Sequence, residues 1–411
     1  MQFTELQLNA YLLKAIAEER FQTPTQVQEQ AIPPILAKKN VIVSAQTGTG
    51  KTAAFALPIL QLLLDRQAPE KKPKRIKSLI VTPTRELCLQ IEANFKSYAK
   101  HTDLTTTAVY GGVSLAPQKE ILKEGVDILI ATPGRLIDLH KQGAIDLRAI
   151  EIFVLDEADL MLDMGFINDV TTIESLCPRK KQSLLFSATI PDKIVALSET
   201  MIKNPITIKI NPAETTAKTI GQLLYYSPKK NKTDLCLHLL RNTINGKIII
   251  FRRTRIGVDK LEETLSKNGY KVTSIHGEKT QIIRNKAIED FKNKKATILI
   301  ATDVAARGID INNVDAIINF DIPNIPETYI HRIGRTGRAG KSGIAFSFCS
   351  PDEDAYIKTI EELLQRPIKV ITDHPYPRVQ RKKQKKQPNT ISKHKKGRKS
   401  EASKKKKKRW Y

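Results

Sequence analysis

The chain has 411 residues, 40% of them hydrophobic, and a formal net charge of +25; that length predicts two globular domains of about 150–200 residues each, and that charge predicts a polyanionic partner. Four cysteines at 88, 177, 236 and 349 form no Cys-x-x-Cys pair, which argues against a disulfide framework or a zinc site and fits a reducing cytoplasm. No basic segment leads into an apolar leader and no run of about 18 apolar residues occurs, so a soluble cytoplasmic protein with no membrane segment is expected.

In chain order the first strong element is the apolar strand at Val41-Ile42-Val43, which runs into Ser44-Ala45-Gln46-Thr47-Gly48-Thr49-Gly50-Lys51-Thr52. Glycine-rich backbone approaches phosphate oxygens closely, and the following helix turns its positive dipole end toward the same anion. Gln46, Thr47, Gly48, Thr49 and Gly50 are expected to cradle a nucleoside triphosphate. Lys51 then supplies a point charge for the β and γ phosphates, and the Thr52 hydroxyl a ligand for Mg²⁺. Ala45 stands where the strict pattern has its first glycine.

Short apolar runs follow at Leu79-Ile80-Val81, Ile128-Leu129-Ile130, Ile152-Phe153-Val154-Leu155 and Leu184-Leu185-Phe186, separated by helix-like stretches such as residues 86–100. The pattern predicts buried parallel strands with crossover helices, a doubly wound α/β domain over residues 1–210. Ligands in such sheets bind beyond the carboxyl ends of the strands, where every polar motif here sits. Residues 211–219 read as a linker, and a second alternating region over 220–373 has strands near 247–251, 272–275, 297–300, 316–319 and 344–348. The word Ile-Leu-Ile-Ala-Thr occurs at 128–132 and again at 298–302, a hint of duplication. Without a Gly-Lys-Thr loop, the second half is expected to complete a site on the first rather than bind a nucleotide itself.

Asp156-Glu157-Ala158-Asp159 ends one apolar run, placing Asp156 where a carboxylate reaches Mg²⁺ directly or through water. Glu157 can then orient or deprotonate the attacking water. In the second half, His331-Arg332-Ile333-Gly334-Arg335-Thr336-Gly337-Arg338 carries too much charge for core. Arg335 and Arg338 are candidates to stabilise charge developing on a transferring phosphoryl group, with a basic RNA-contacting loop as the competing reading. The tail, residues 374–411, holds 17 Lys or Arg against one acid, Glu401, and is expected to be a disordered cationic arm, for nucleic acid or for solubility alone.

These motifs, together with Phe21-Gln22-Thr23-Pro24-Thr25-Gln26-Val27-Gln28, Pro83-Thr84-Arg85-Glu86-Leu87, Gly111-Gly112, Thr132-Pro133-Gly134-Arg135, Ser187-Ala188-Thr189, Gln281 with Arg284, and Ala301-Thr302-Asp303 through Arg307-Gly308-Ile309-Asp310, stand in the order found in DEAD-box RNA helicases of bacterial type. The chain resembles that family over residues 1 to about 370. The resemblance implies two RecA-like domains in tandem that close on ATP and single-stranded RNA. It implies that Phe21 stacks on adenine with Phe3 as the isolated upstream aromatic, that Gln28 reads the adenine edge, and that Asp310 approaches the ribose. Ser187 and Thr189 would bond with Asp159 and His331 to couple hydrolysis to closure. Pro83, Thr84, Arg85, Gly112, Thr132, Gly134 and Arg135, with Arg252, Thr302 and Asp303, would grip RNA sugar and phosphate, contacts that carry no sequence information. The chain departs from the family at Gln26, at Leu160 and at the basic Arg252-Arg253-Thr254.

The expected activity is an RNA-stimulated ATPase that unwinds short duplexes or remodels ribonucleoprotein, by a monomer. An ATP-locked RNA clamp or assembly scaffold is the alternative, and a DNA-translocating motor is disfavoured by the adenine-reading segment. Ribosome assembly, RNA decay and cold adaptation stay open as settings, with ribosomal RNA favoured by the basic tail.

Overall fold

The structure, a computed structural model, describes residues 1–46, 48–65, 75–210, 220–306, 311, 314–337 and 343–378. Its first half runs α1 (Ala10–Glu18), α2 (Gln26–Leu36), β1 (Val41–Ser44), α3 (Lys51–Leu64), β2 (Ser78–Val81), α4 (Arg85–Tyr98), β3 (Thr106–Val109), α5 (Ala116–Glu124), β4 (Ile128–Ala131), α6 (Pro133–Lys141), β5 (Ile152–Asp156), α7 (Ala158–Asp163), α8 (Ile167–Leu176), β6 (Gln182–Ser187), α9 (Asp192–Met201) and β7 (Ile206–Lys209). The strands form one parallel seven-stranded sheet in the order β3-β4-β2-β5-β6-β1-β7. Alternate residues face opposite sides of a strand, so Ile80, Ile128 and Ile130 join the core on one face and Leu79, Val81 and Leu129 that on the other. Burial on both faces is why these strands read as unbroken apolar words.

The second half runs β8 (Ile220–Tyr226), α10 (Lys232–Asn242), β9 (Ile248–Arg252), α11 (Arg255–Lys267), β10 (Val272–Ile275), α12 (Gln281–Lys292), β11 (Ile298–Thr302), α13 (Asp303–Ala306), β12 (Ala316–Asn319), α14 (Pro326–Ile333), β13 (Gly343–Cys349), α15 (Asp354–Leu364) and β14 (Lys369–Val370). Its sheet is ordered β10-β11-β9-β12-β13-β8-β14, the order of the first sheet with each strand displaced by seven. The repeated word falls on β4 and β11, which hold the same place in the two sheets, so the sequence repeat has a topological counterpart.

Four strands escape the sequence pattern. β3, β7 and β14 are sheet edges, where less apolar surface is needed. β8 carries Gly221 and Gln222, and Gly221 lies 3.7 Å, measured from an added Cβ, from the Gly343 carbonyl. The expected linker, residues 211–219, and residues 379–411 of the tail lie outside the described residues. The tail's assigned start is corrected: His374 meets the Tyr225 ring at 5.4 Å and Tyr376 packs on the β8–β9 core, so the fold runs past residue 373. Among the described residues no helix is long and apolar enough to cross a membrane.

A buried carboxylate fastens the strand ends of the second half. Glu353 accepts from Lys232 Nζ at 2.5 Å, Arg253 at 3.0 Å, the Ile322 amide at 3.1 Å, and the Ser350 amide and hydroxyl at 3.0 and 2.8 Å. Lys232 also donates to the Phe320 carbonyl at 2.8 Å. The charges are compensated as a set, so deleting one strands the others. Glu353→Ala is expected to destabilise the second half by about 3–5 kcal/mol, read as faster amide exchange in β9 and β12 while β2 and β5 keep wild-type protection.

Candidate functional site

The phosphate cradle is built by backbone conformation. Gly48 and Gly50 have φ of +87° and +95°, a region only glycine enters at low cost, and α3 begins at Lys51 directly after Gly50. A Cβ on Gly50 would lie 2.5 Å from Gln28 Nε2 and 3.1 Å from Thr25 Oγ1. Ala45 is accommodated because it directly follows β1 and continues its pairing with β6: it is buried, and its amide bonds the Ser187 carbonyl at 2.9 Å. Gln28 donates to the Gly50 carbonyl at 3.3 Å and accepts from the Thr25 amide at 2.9 Å, so the residue assigned to adenine also braces the loop. Thr49 donates its hydroxyl to the Gln46 carbonyl at 2.7 Å. Phe21 stacks on Phe3 with centroids 6.0 Å apart.

Facing this loop is the acidic cluster at the tip of β5. Glu157 has φ +53° and ψ +52°, a left-handed turn that costs a β-carbon residue about 1–2 kcal/mol. Lys51 Nζ meets Glu157 Oε1 at 2.9 Å, both side chains being buried. Burial alone would lower Lys51, but the carboxylates of Glu157, Asp156 and Asp159 outweigh it and raise its pKa. Asp156 is pushed up to about 7 by burial and then by the Glu157 charge, against the pull of Lys51. Its Oδ1 is buried without a hydrogen-bond partner. An orphaned carboxylate oxygen beside a phosphate cradle fits a Mg²⁺ that takes one carboxylate and fills its shell from phosphate and water.

Asp159 connects this cluster to the second half. Its Oδ2 accepts from the Thr189 amide and hydroxyl, both at 3.0 Å, its amide donates to Ser187 Oγ at 3.1 Å, and Ser187 donates to the Thr189 carbonyl at 2.7 Å. Burial would raise the Asp159 carboxyl, yet the charges of His331 and Lys51 and the hydroxyls of Ser187 and Thr189 hold it below its ordinary value. Asp159, Thr189, Thr328 and His331 line one cleft of 350 Å³. Arg335 is 4% exposed and lines a smaller recess with His331 and Arg332. Thr47, Asp310 and Arg338 lie outside the described residues.

The residues assigned to RNA separate into two groups. In the first half, the Arg85 guanidinium lies over Gly112, where an added Cβ would sit 1.8 Å from it, and Gly112 has φ +74°. Arg135 donates to the Val113 carbonyl at 2.9 Å, and its other terminal nitrogen is buried without a partner. Thr84 caps α4 with its side chain and Thr132 stands at the N-cap position of α6, so Pro83, Thr84, Thr132 and Gly134 all flank helix N-termini at the sheet's carboxyl edge. In the second half the structure directs two candidates elsewhere. Arg252 stacks on Phe320 at 4.0 Å and pairs with Asp321 at 3.0 Å; Asp303 holds Arg332 through two bonds of 2.6 and 2.8 Å. Thr302 ends β11 and stays half-buried at the strand tip. The extra basicity at Arg253 is likewise absorbed by Glu353.

One set of residues received no role from the sequence. Glu86, on α4, accepts from Gln281 at 2.7 Å and from Arg284 at 3.0 Å, both on α12. Gln281 and Arg284 share a face of α12 at i and i+3, a spacing the sequence offers, but their partner lies 195 residues away.

The raised Asp156 sets a pH dependence. Between its ordinary value near 3.8 and about 7 the folded state holds a proton that the unfolded state has released. Stability contributed by that group therefore falls as pH rises through the window. Asp156→Asn removes the charge and keeps the shape, so nucleotide-free Asp156→Asn is expected to melt a few degrees above wild type at pH 8, with the gap closing toward pH 5, in thermal unfolding followed by circular dichroism.

Comparison with known proteins agrees with this geometry. The DEAD/DEAH box helicase family matches residues 25–197 and the helicase conserved C-terminal domain matches residues 231–340. The DEAD-box ATP-dependent RNA helicase RhpA of Helicobacter pylori is 43% identical over 351 residues, 85% of this chain and 70% of that protein. The ATP-dependent RNA helicase SrmB of Escherichia coli is 42% identical over 369 residues, 89% of this chain and 83% of that protein. Among solved structures, Dbp5 of S. cerevisiae bound to RNA and ADP BeF3 superposes with a TM-score of 0.80 at 32% identity, covering 90% of this chain and 95% of that one. With its phosphate cradle, its acidic strand tip and two sheets of one topology, the chain belongs to the DEAD-box family of ATP-dependent RNA helicases.

Proposed function

We propose that this protein is an ATP-dependent RNA helicase whose hydrolysis is stimulated by RNA and which separates short duplexes or remodels ribonucleoprotein locally. The observation that carries this reading is the chain of contacts from Lys51 and Glu157 through Asp159 and Thr189 to the cleft shared with His331. Without nucleotide, Lys51 spends its charge on Glu157. The ATP phosphates offer Lys51 a stronger set of anionic partners, and the exchange releases the Glu157 carboxylate to orient and deprotonate water. Thr52 and Asp156 are the groups that would hold Mg²⁺, which supplies charge neutralisation on the phosphates. His331 and Arg335 arrive from the second half, so the site is complete only when both halves face it. Phe21 and Gln28 select adenine, and Asp310 and Arg338 are assigned to the ribose and to the transferring phosphoryl group.

RNA is gripped through its backbone by Arg85, Gly112, Thr84, Thr132 and Arg135, with Pro83, Gly134 and Thr302 beside them. Arg252 and Asp303 contact RNA only after releasing Asp321 and Arg332. We assign the protein to the cytoplasm as a monomer, with ribosomal RNA or a pre-ribosomal particle as its target, supported by a tail suited to structured, phosphate-dense RNA.

Glu157→Gln keeps the side-chain shape but cannot take the water's proton. Hydrolysis is expected to fall by roughly 10²–10⁴, with ATP-dependent RNA binding retained or prolonged; wild-type turnover would remove Glu157 from the base role. Because residues 374–378 are built into the fold, the tail is best tested by deleting 379–411. RNA affinity measured against salt should then lose about 0.7–0.9 units of log–log slope per phosphate contact removed, while hydrolysis at saturating RNA holds at the wild-type rate.

A further inference from the structure

Helix α4 has functional groups at one end and the adenine-reading segment at the other. Its fourteen residues span about 21 Å at 1.5 Å per residue. At the N-terminal end Arg85 lies over Gly112, and Glu86 holds Gln281 and Arg284 of the second half. At and just beyond the C-terminal end four contacts reach the segment that leads into Phe21 and Phe21 itself. The Ser97 hydroxyl donates to Glu19, the Tyr98 ring meets the Phe21 ring edge-on at 5.9 Å, and His101 and Lys100 both engage Glu18. Phe21 is thereby held between two aromatics, with Phe3 stacked on its other flank. Between its ends the helix is pinned by Leu87, Cys88, Ile91 and Phe95, all in the first-half core, and Phe95 meets Phe55 of α3 at 6.2 Å. A prop fixed in this way does not yield when a ring is pressed against it.

We infer that Tyr98 is a positioning residue for adenine recognition, setting the plane of Phe21 from the far end of α4. Edge-on packing fixes the tilt of a ring in a way that an aliphatic neighbour of similar volume does not. Phe21 is half-buried, so part of its ring stays open to a base while Tyr98 and Phe3 hold the rest. The inference rests on the proposed role of Phe21.

The test compares Tyr98→Leu, Tyr98→Phe, Ser97→Ala and Phe21→Leu in RNA-saturated ATP hydrolysis, with tripolyphosphate as a competitor that occupies the cradle but has no base. Tyr98→Leu is expected to raise the KM for ATP by about 3- to 10-fold, the loss of one aromatic pair, with kcat and the inhibition constant of tripolyphosphate within twofold of wild type. Ser97→Ala, a milder change that spares the core, shifts KM in the same direction. Tyr98→Phe restores wild-type values because the ring, not the hydroxyl, is the prop. Equal weakening of ATP and tripolyphosphate in Tyr98→Leu would mean general loosening and overturn the inference. So would an unchanged KM in Tyr98→Leu when Phe21→Leu raises it. If Phe21→Leu itself leaves the KM unchanged, the adenine role of Phe21 fails, and the positioning role of Tyr98 fails with it.

Discussion

The pairing of Lys51 with Glu157 is the interaction on which the site depends. A buried cation and a buried carboxylate tolerate their surroundings only together, so the pair fixes both side chains between the glycine loop and the tip of β5. Glu157 makes the pairing from a left-handed turn between β5 and α7, at a conformational cost that only a compensating contact would sustain. The same burial that favours the pair drives Asp156 toward its protonated form, leaving one oxygen without a partner. The site is therefore a set of groups whose mutual compensation is incomplete, which is the condition the proposed phosphate and metal binding would answer.

From that pair the architecture extends in two directions. One passes through Asp159 and the Ser187–Thr189 turn to the cleft shared with His331, whose charge helps to hold the Asp159 carboxyl below its ordinary value. The other passes through α4, whose Glu86 is held by α12. The route through α4 crosses by a hydrogen bond and an ion pair, and the route through Asp159 by charge across the cleft. Such contacts can be exchanged without exposing core, as the closure implied by the proposed function would require.

Much of this was legible in the sequence, for physical reasons that also explain what was not. Parallel strands buried on both faces must be apolar throughout, so Ile128-Leu129-Ile130 and Ala316-Ile317-Ile318 announced themselves, and edge strands such as Thr106–Val109 did not. The cradle was legible because only glycine takes positive φ cheaply at 48 and 50. The placement of Arg252, Arg253 and Asp303 was not, because a charged residue next to a strand end looks the same whether it faces RNA or a partner on a neighbouring strand. Asp321, Glu353 and Arg332, which decide the matter, are distant in sequence. Glu86 and Arg284 were hidden for the same reason: a salt bridge across two domains leaves no local trace.

The shared topology of the two sheets gives Lys232 a meaning beyond stability. It opens the helix after β8 as Lys51 opens the helix after β1, and β8 and β1 hold the same place in their sheets. Lys51 pairs with Glu157 and Lys232 with Glu353, each a buried carboxylate of the same chain, but Glu353 also accepts from Arg253, the Ile322 amide and the Ser350 amide and hydroxyl. The second half thus holds its helix-opening lysine in a dense polar network, where the first half sets its lysine directly after a loop of positive-φ glycines.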